Sequence, residues 1–260
     1  MKKLLATIAF LGLASAASAA DLGPIPVRPL FMPVYNWTGC YLGAHLGAGW
    51  TAETVRVTDV SAYNALPWDI WNYNTHNSIV GGGTLGCNWQ PIGSSFVAGV
   101  EGEFGYMRIA GSGLDPNNVF TSIQSSVRIG DWYGTMTGRL GYAWNRLMLY
   151  VKGGAAFVEV QTTVTDPILN PGFIAQSTDS KATWTAGGGI EWAFDWNWSV
   201  KAEYMFIGLD NTAACGFDAV GIGNGGVGTY CWNHQLDGIH TAKIGLNYRF
   251  GGGAPVIARY

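Results

Sequence analysis

The sequence predicts an all-β fold, an eight-stranded antiparallel up-and-down transmembrane β-barrel, and three observations carry that expectation. Segments of roughly ten residues alternate apolar and polar side chains at the strand period of two along most of the chain. The connections between them alternate strictly between long and short. Only 12% of the 260 residues are charged, about half the share of an ordinary soluble domain, while Gly (38) and Trp (12) are in excess. Few helical patterns are available to cover the apolar faces, so the remaining covering material is lipid.

Export comes first in chain order. Residues 1–20 read as a signal peptide: Lys2 and Lys3, an apolar run from Leu4 to Leu13, then Ala17, Ser18 and Ala19 suited to cleavage. That run is shorter than the ~20 residues a spanning helix needs, and no later run is longer. A chain of this kind crosses a bilayer only as closed strands, because those satisfy every backbone group in hydrocarbon. The expected location is the outer membrane of a Gram-negative cell. The net charge of -3, without runs of like charge, excludes a nucleic-acid partner and a disordered acidic tail.

Residues 21–35 contain Pro24, Pro26, Pro29 and Pro33 and read as an extended periplasmic leader. The barrel is expected over residues 36–250, followed by a tail, 251–260. Its first strand, Thr38 to Trp50, sets Cys40, Leu42, Ala44, Leu46, Ala48 and Trp50 toward lipid and His45 among glycines toward the lumen. A long connection, Thr51 to Thr75, leads to the second strand, Asn77 to Trp89, and a short turn, Pro91 to Ser94, to the third. There Phe96, Ala98, Val100, Phe104 and Tyr106 oppose Glu101 and Glu103. Ile109 to Val127 reads as a long connection.

The fourth strand, Trp132 to Trp144, sets Met136, Leu140 and Tyr142 against Thr135, Thr137 and Arg139. A tight turn at Asn145 and Arg146 opens the fifth, where Leu149, Val151, Ala155 and Phe157 oppose Tyr150 and Lys152. After a third long connection, about Thr162 to Ser180, the sixth strand faces Trp184, Ile190 and Trp192 outward and Thr185 and Glu191 inward. Asp195 to Asn197 is the next short turn. The seventh sets Trp198, Val200, Ala202, Tyr204 and Phe206 against Lys201 and Glu203, and Asp210 to Asp237 is the last long connection. The closing strand, Gly238 to Phe250, sorts without a misfit: His240, Ala242, Ile244, Leu246, Tyr248 and Phe250 outward, Thr241, Lys243, Gly245, Asn247 and Arg249 inward. Trp37, Trp89, Trp144, Trp192 and Trp198 cluster near the short turns, and Trp50, Tyr106 and Trp132 near the long connections, as two interfacial girdles would require.

The segments NWTGCYLGAHLGAGW, FVAGVEGEF, GTMTGRLGYAW, WSVKAEY and KIGLNYRF resemble the outer-membrane immunogenic or porin-family barrels of alphaproteobacteria, small barrels of the OmpA-like eight-stranded kind. The likeness spans the mature chain apart from its loops. It implies an integral, surface-exposed outer-membrane protein with no enzymatic role, in contact with outer-membrane lipids and lipopolysaccharide. It also implies a terminal assembly signal, here Tyr248 and Phe250, read by the barrel-assembly machinery; unlike many such barrels, this chain continues beyond that aromatic.

The ionisable lumen residues Glu101, Glu103, Arg139, Lys152, Glu191, Lys201, Glu203 and Lys243 fall at similar heights above the short turns and predict one belt. An eight-stranded barrel is just wide enough for side chains to fill it, and a buried charge demands a partner. Glu101 or Glu103 is expected beside Arg139, and Glu203 beside Lys201 or Lys243. The main reading is a structural barrel with a surface-interaction role. A narrow porin conducting small hydrophilic solutes or ions competes with it, because the many inward glycines would leave room.

No cofactor is expected. Gly81 to Gly86 matches the dinucleotide pattern GxGxxG, but no helix follows to receive a phosphate, so these glycines read as strand packing. Four cysteines in an exported chain favour disulfides. Cys40 and Cys87 face outward near the same ends of adjacent strands, and Cys215 and Cys231 share a long connection; these are the expected pairs. No close CxxC pair supports zinc. His45, His76, His234 and His240 do not cluster, which leaves no nucleophile and base in reach and no catalytic site. The aromatic stretches Tyr63 to Tyr73 and Gly221 to Trp232 read either as contact surfaces for host or phage ligands or as rims resting on lipid headgroups.

Overall fold

The computed structural model describes residues 35–52, 54–61, 63, 69–116, 123–222 and 226–250. The expected signal peptide, most of the leader and the tail lie outside the described residues. Eight strands form a closed antiparallel ring: β1 (Gly39–Thr51), β5 (Ser78–Trp89), β6 (Phe96–Leu114), β7 (Gln124–Trp144), β8 (Leu147–Asp166), β9 (Asn170–Ala193), β10 (Trp198–Gly208) and β13 (Gly238–Arg249). β10 pairs with both β9 and β13, and β13 with β1, which closes the ring. The alternation read from the sequence holds throughout this part. Val100, Leu140 and Val151 are 64%, 65% and 63% exposed, whereas Glu101, Arg139 and Lys152 between them are 2%, 2% and 4% exposed. A surface this apolar on a closed ring is solvated by hydrocarbon.

Four stretches expected as connections carry strands of their own or extend those of the ring. β6 to β9 continue past the ring: residues 109–114 pair with 124–129 across β6 and β7, and residues 162–165 with 174–177 across β8 and β9. The stretches Thr51 to Thr75 and Asp210 to Asp237 supply β2 (Val55–Asp59), β3 (Ile70–Tyr73), β4 (Thr75–His76), β11 (Thr212–Asp218) and β12 (Gly228–Gln235). They continue the sheet in the order β9, β11, β12, β2, β3, and β4, one residue after β3, pairs back onto β6. A second ring thus stands on the shared strands β6 to β9, above the end that carries the long connections.

In this upper ring the apolar side of the alternation is inverted. On β8, Val151, Ala155 and Phe157 point outward; one residue later Val158 and Val160 are wholly buried, and Glu159, Gln161 and Thr163 take the outer face. β6 switches between Tyr106 and Met107, and β10 between Phe206 and Ile207. On β7 the switch coincides with a bulge between Ile129 and Tyr133, where Gly130 (φ 102°) and Asp131 (φ 72°) adopt left-handed backbone. Leu147 to Phe157 is eleven residues, the length a tilted strand needs to cross a bilayer. Below the switch the outside is greasy because lipid covers it; above, the inside is greasy because water surrounds the wall.

Both expected disulfides are present. Cys40–Cys87 links directly paired residues of β1 and β5, and Cys215–Cys231 directly paired residues of β11 and β12. The first staples the membrane ring at its short-turn end, the second the upper hairpin.

Candidate functional site

The eight ionisable residues expected to form a belt do so, inside the membrane ring. Lys152 is its centre: Nζ lies 2.6 Å from Glu101, 2.8 Å from Glu103 and 2.9 Å from Glu203. Lys201 reaches Glu101 at 3.1 Å and both Glu103 and Glu203 at 3.6 Å, while Lys243 pairs with Glu103 and, at 3.1 Å, with Glu203. Glu203 therefore has both of its anticipated partners. Arg139 does reach Glu101, at 3.7 Å, but its closest carboxylate is Glu191, on β9, which flanks β8 on its other side. Ser199 Oγ (2.6 Å) and Asn247 Nδ2 (2.9 Å) donate to the same Glu191. Four carboxylates thus face four cations, all nearly inaccessible to water.

Tyrosines tie the belt to the wall. Tyr41 donates to Glu101 at 2.6 Å and accepts from Arg139 at 3.0 Å, and Tyr150 donates to Glu203 at 2.9 Å beneath the Arg139 guanidinium, 3.7 Å from the ring centre. The carboxylates of Glu101, Glu103 and Glu203 converge as a metal ligand set does, but the Lys152 ammonium, within 3 Å of all three, occupies the cation position. The geometry is a charge-balanced, mutually paired network in which Arg139 Nε alone among the cationic nitrogens of the belt has no hydrogen-bonding partner.

The lumen is also filled above and below. At the short-turn end Tyr35, assigned by sequence to the leader, and Trp37, assigned to a lipid-facing girdle, are instead buried inside the mouth. Trp37 Nε1 donates to the Asn145 carbonyl at 3.0 Å, and the guanidiniums of Arg249 and Arg146 lie 4.5 and 5.7 Å from the Tyr35 ring centre. Aromatic rings with a polar edge and cationic neighbours are stable there and need no lipid. Above the belt, His45 bridges Thr84 (3.1 Å) and Tyr133 (2.6 Å), and the apolar interior of the upper ring begins with Val80, Met107 and Ile129.

The inward glycines do not leave open space. A Cβ on Gly47 would come within 2.0 Å of the Ala242 carbonyl oxygen, and one on Gly82 within 2.3 Å of the Phe104 carbonyl oxygen. They allow strands and belt to approach closely. Outward Gly83, Gly102 and Gly138 meet nothing nearer than 3.7 Å, so on the lipid face glycine has no steric requirement.

Among the described residues of the aromatic connections, Tyr63, Trp71, Tyr73, Tyr230 and Trp232 are buried. Tyr63 stacks on Phe173 (5.2 Å) and packs against Tyr230 (4.9 Å) and Trp232 (5.4 Å), closing the top of the upper ring. Burial pushes the Tyr63 hydroxyl up to about 12. His234 is wholly buried on the row Thr212, His234, Val57, Trp71 across β11, β12, β2 and β3. Neither ring nitrogen has a hydrogen-bonding partner, and desolvation lowers its pKa to about 4, the nearby Trp232 carbonyl only partly opposing the shift. His240 is at the outer rim as expected, stacked on Trp50 at 5.8 Å and bonded to Tyr204. Exposed Tyr248 and Phe250 pack edge to face, 5.4 Å apart, at the short-turn end.

Comparison with known proteins agrees with this architecture. Residues 6–250 match the family model described as "Outer membrane protein beta-barrel domain". The 31 kDa outer-membrane immunogenic protein of Brucella melitensis biotype 1 is 29% identical over 256 residues, covering 95% of this chain and 98% of that protein. The 25 kDa outer-membrane immunogenic protein of Brucella abortus biovar 1 is 27% identical, with 95% and 97% covered. Among solved structures, the outer membrane protein OprG of Pseudomonas aeruginosa superposes with a TM-score of 0.56 at 9% identity over 83% of this chain and 99% of its own, a likeness of fold alone. The chain belongs to the outer membrane protein β-barrel domain family and is a protein of the outer membrane.

Proposed function

We propose that this protein is a non-conducting structural barrel of the outer membrane whose upper ring serves surface interactions. One observation supports the reading: the belt from Glu101 to Lys243 is a closed set of ion pairs packed across the lumen, with every member buried. The mouth plug of Tyr35 and Trp37 and the apolar upper interior support it from either side. Purified protein reconstituted in planar bilayers is expected to give no discrete openings. Reproducible unitary openings from the wild-type chain would overturn the reading in favour of a narrow porin.

The same reading is non-catalytic, so incubation with phospholipid or lipid A should release no product. Partners follow from the surface. The outward Tyr248 and Phe250, at the end of the closing strand, suit capture by the barrel-assembly machinery, and the apolar band suits outer-membrane lipids. Host or phage ligands would meet the outer wall and tip of the upper ring, where Ile168, Phe217 and Val220 are exposed.

A further inference from the structure

The two disulfides share one chemistry and differ in what solvates them. Cys40 and Cys87 are exposed on the outer face of the membrane ring, joined across β1 and β5. The outward side chains around them are apolar: Leu42 follows Cys40 on β1, Leu85 and Trp89 flank Cys87 on β5, and Val100 pairs with Cys87 on β6. Phe250, also exposed, donates its amide to the Cys40 carbonyl at 2.8 Å. Thr38, just before β1, is the polar exception on the short-turn side. Trp89 belongs to the girdle at that end, and Cys87 stands two residues, about 7 Å along the strand, further into the apolar band.

Cys215 and Cys231 stand on the upper ring, above the switch of faces, where water surrounds the wall. Cys215 is exposed and pairs with Gln176 on β9. The Cys231 amide donates to Ser61 Oγ at 2.7 Å, and that hydroxyl donates to the Cys231 carbonyl at 3.2 Å. One chain thus carries the same bond once in hydrocarbon and once in water.

The reaction that makes such a bond needs ions. A thiolate attacks one sulfur of a disulfide, and the other sulfur departs as a second thiolate. Hydrocarbon solvates neither anion, and a charged or protein-borne disulfide donor stays in water. Once lipid covers the lower ring, the reaction is blocked at Cys40 and Cys87 and remains open at Cys215 and Cys231.

We infer that the Cys40–Cys87 bond is made in the periplasm before the barrel enters the membrane, by exchange with the disulfide of a water-soluble oxidoreductase. One cysteine, as thiolate, attacks that disulfide to give a mixed disulfide and frees the partner's first sulfur as a thiolate. The other cysteine, as thiolate, then displaces the partner's second sulfur. The chain gives up two electrons and two protons, and the partner leaves as a dithiol. The bond joins residues 47 apart in sequence and directly paired in the sheet, so β1 and β5 reach the membrane already linked in their final register, with β2, β3 and β4 looped between them. The inference rests on the lipid cover of the lower ring and is independent of whether the lumen conducts.

The test uses the native, oxidised full-length protein in phosphatidylcholine nanodiscs, whose two faces both meet water. Reduced glutathione is added, thiols are trapped by alkylation at intervals, and peptide mapping assigns them to each pair. Cys215–Cys231 is expected to open at least roughly tenfold faster than Cys40–Cys87, as exclusion of the thiolate from hydrocarbon predicts. The reverse measurement starts from the reduced chain folded into nanodiscs and adds oxidised glutathione; Cys215 and Cys231 should close while Cys40 and Cys87 stay alkylatable. In urea, where both pairs meet water, the difference should vanish. A smaller ratio in either direction would overturn the inference. So would a difference that persists in urea, which would place its cause in the sulfurs themselves rather than in the lipid. Failure of the reduced chain to fold, where the oxidised chain folds, would support it, since oxidation would then have to come first. Conductance of the wild type tests the lumen separately.

Discussion

Lys152 touches three carboxylates, and its removal isolates the energetics of the belt. Lys152→Met leaves Glu101, Glu103 and Glu203 crowded around an apolar methyl group. Breaking a buried pair from one side typically destabilises by about 3–5 kcal/mol, so the variant should lose its compact unboiled band at markedly lower urea than wild type. His234 makes a different demand. Its folded pKa, about 4, lies below the ordinary value near 6.5, so between those values the unfolded chain binds the extra proton. Stability is full above about pH 6.5 and falls as pH drops toward 4, by up to about 3 kcal/mol. Urea unfolding at pH 7.5 and pH 4.5 should differ accordingly, and His234→Leu should flatten the difference. The belt residues themselves were legible, since each sits at an inward position of a readable strand. That Arg139 turns to Glu191 is not, because β7 and β9 are unpaired second neighbours whose side chains meet over the inner face of β8.

At the scale of the strand, glycine separates two environments that share one sequence signature. Gly47→Ala places its Cβ 2.0 Å from a backbone oxygen, whereas Gly138→Ala meets nothing closer than 3.9 Å. The first should destabilise the barrel by about 1–3 kcal/mol, as overpacking does; the second should be neutral or slightly stabilising, because it only restricts the unfolded chain. Comparing their urea midpoints in one detergent checks both. The membrane strands were legible because apolar and polar faces alternate with large contrast, as in Leu149, Tyr150, Val151 and Lys152. Their continuation was not. In Gln124 to Ser126 inward and outward residues are chemically alike, in Thr162 to Thr165 only Val164 breaks a run of threonines, and the apolar phase switches sides at Phe157. β12 also pairs with β2 from the other end of the chain, with Cys231 bonding Ser61 across 170 residues, a pairing no local pattern announces. Trp37 was misplaced for a related reason: an aromatic near a turn suits a lipid girdle and a mouth plug equally well until the fold places it.

The described residues form two rings on shared strands, solvated by lipid below and by water above, with buried side chains in both. Ion pairs fill the lower part and aromatic and aliphatic side chains the upper, so the inside changes from polar to apolar where the outside changes from apolar to polar. That exchange of faces along β6 to β9 positions the barrel in the bilayer, and the closed-lumen reading requires it. Spin labels at Val151 and Gln161, five outward positions apart on β8 and both tolerant of substitution, test it directly in reconstituted membranes. Relaxation is expected from oxygen dissolved in hydrocarbon at Val151 and from a water-soluble nickel chelate at Gln161. Equal exposure of both labels to the chelate, or burial of Gln161 in hydrocarbon, would contradict it.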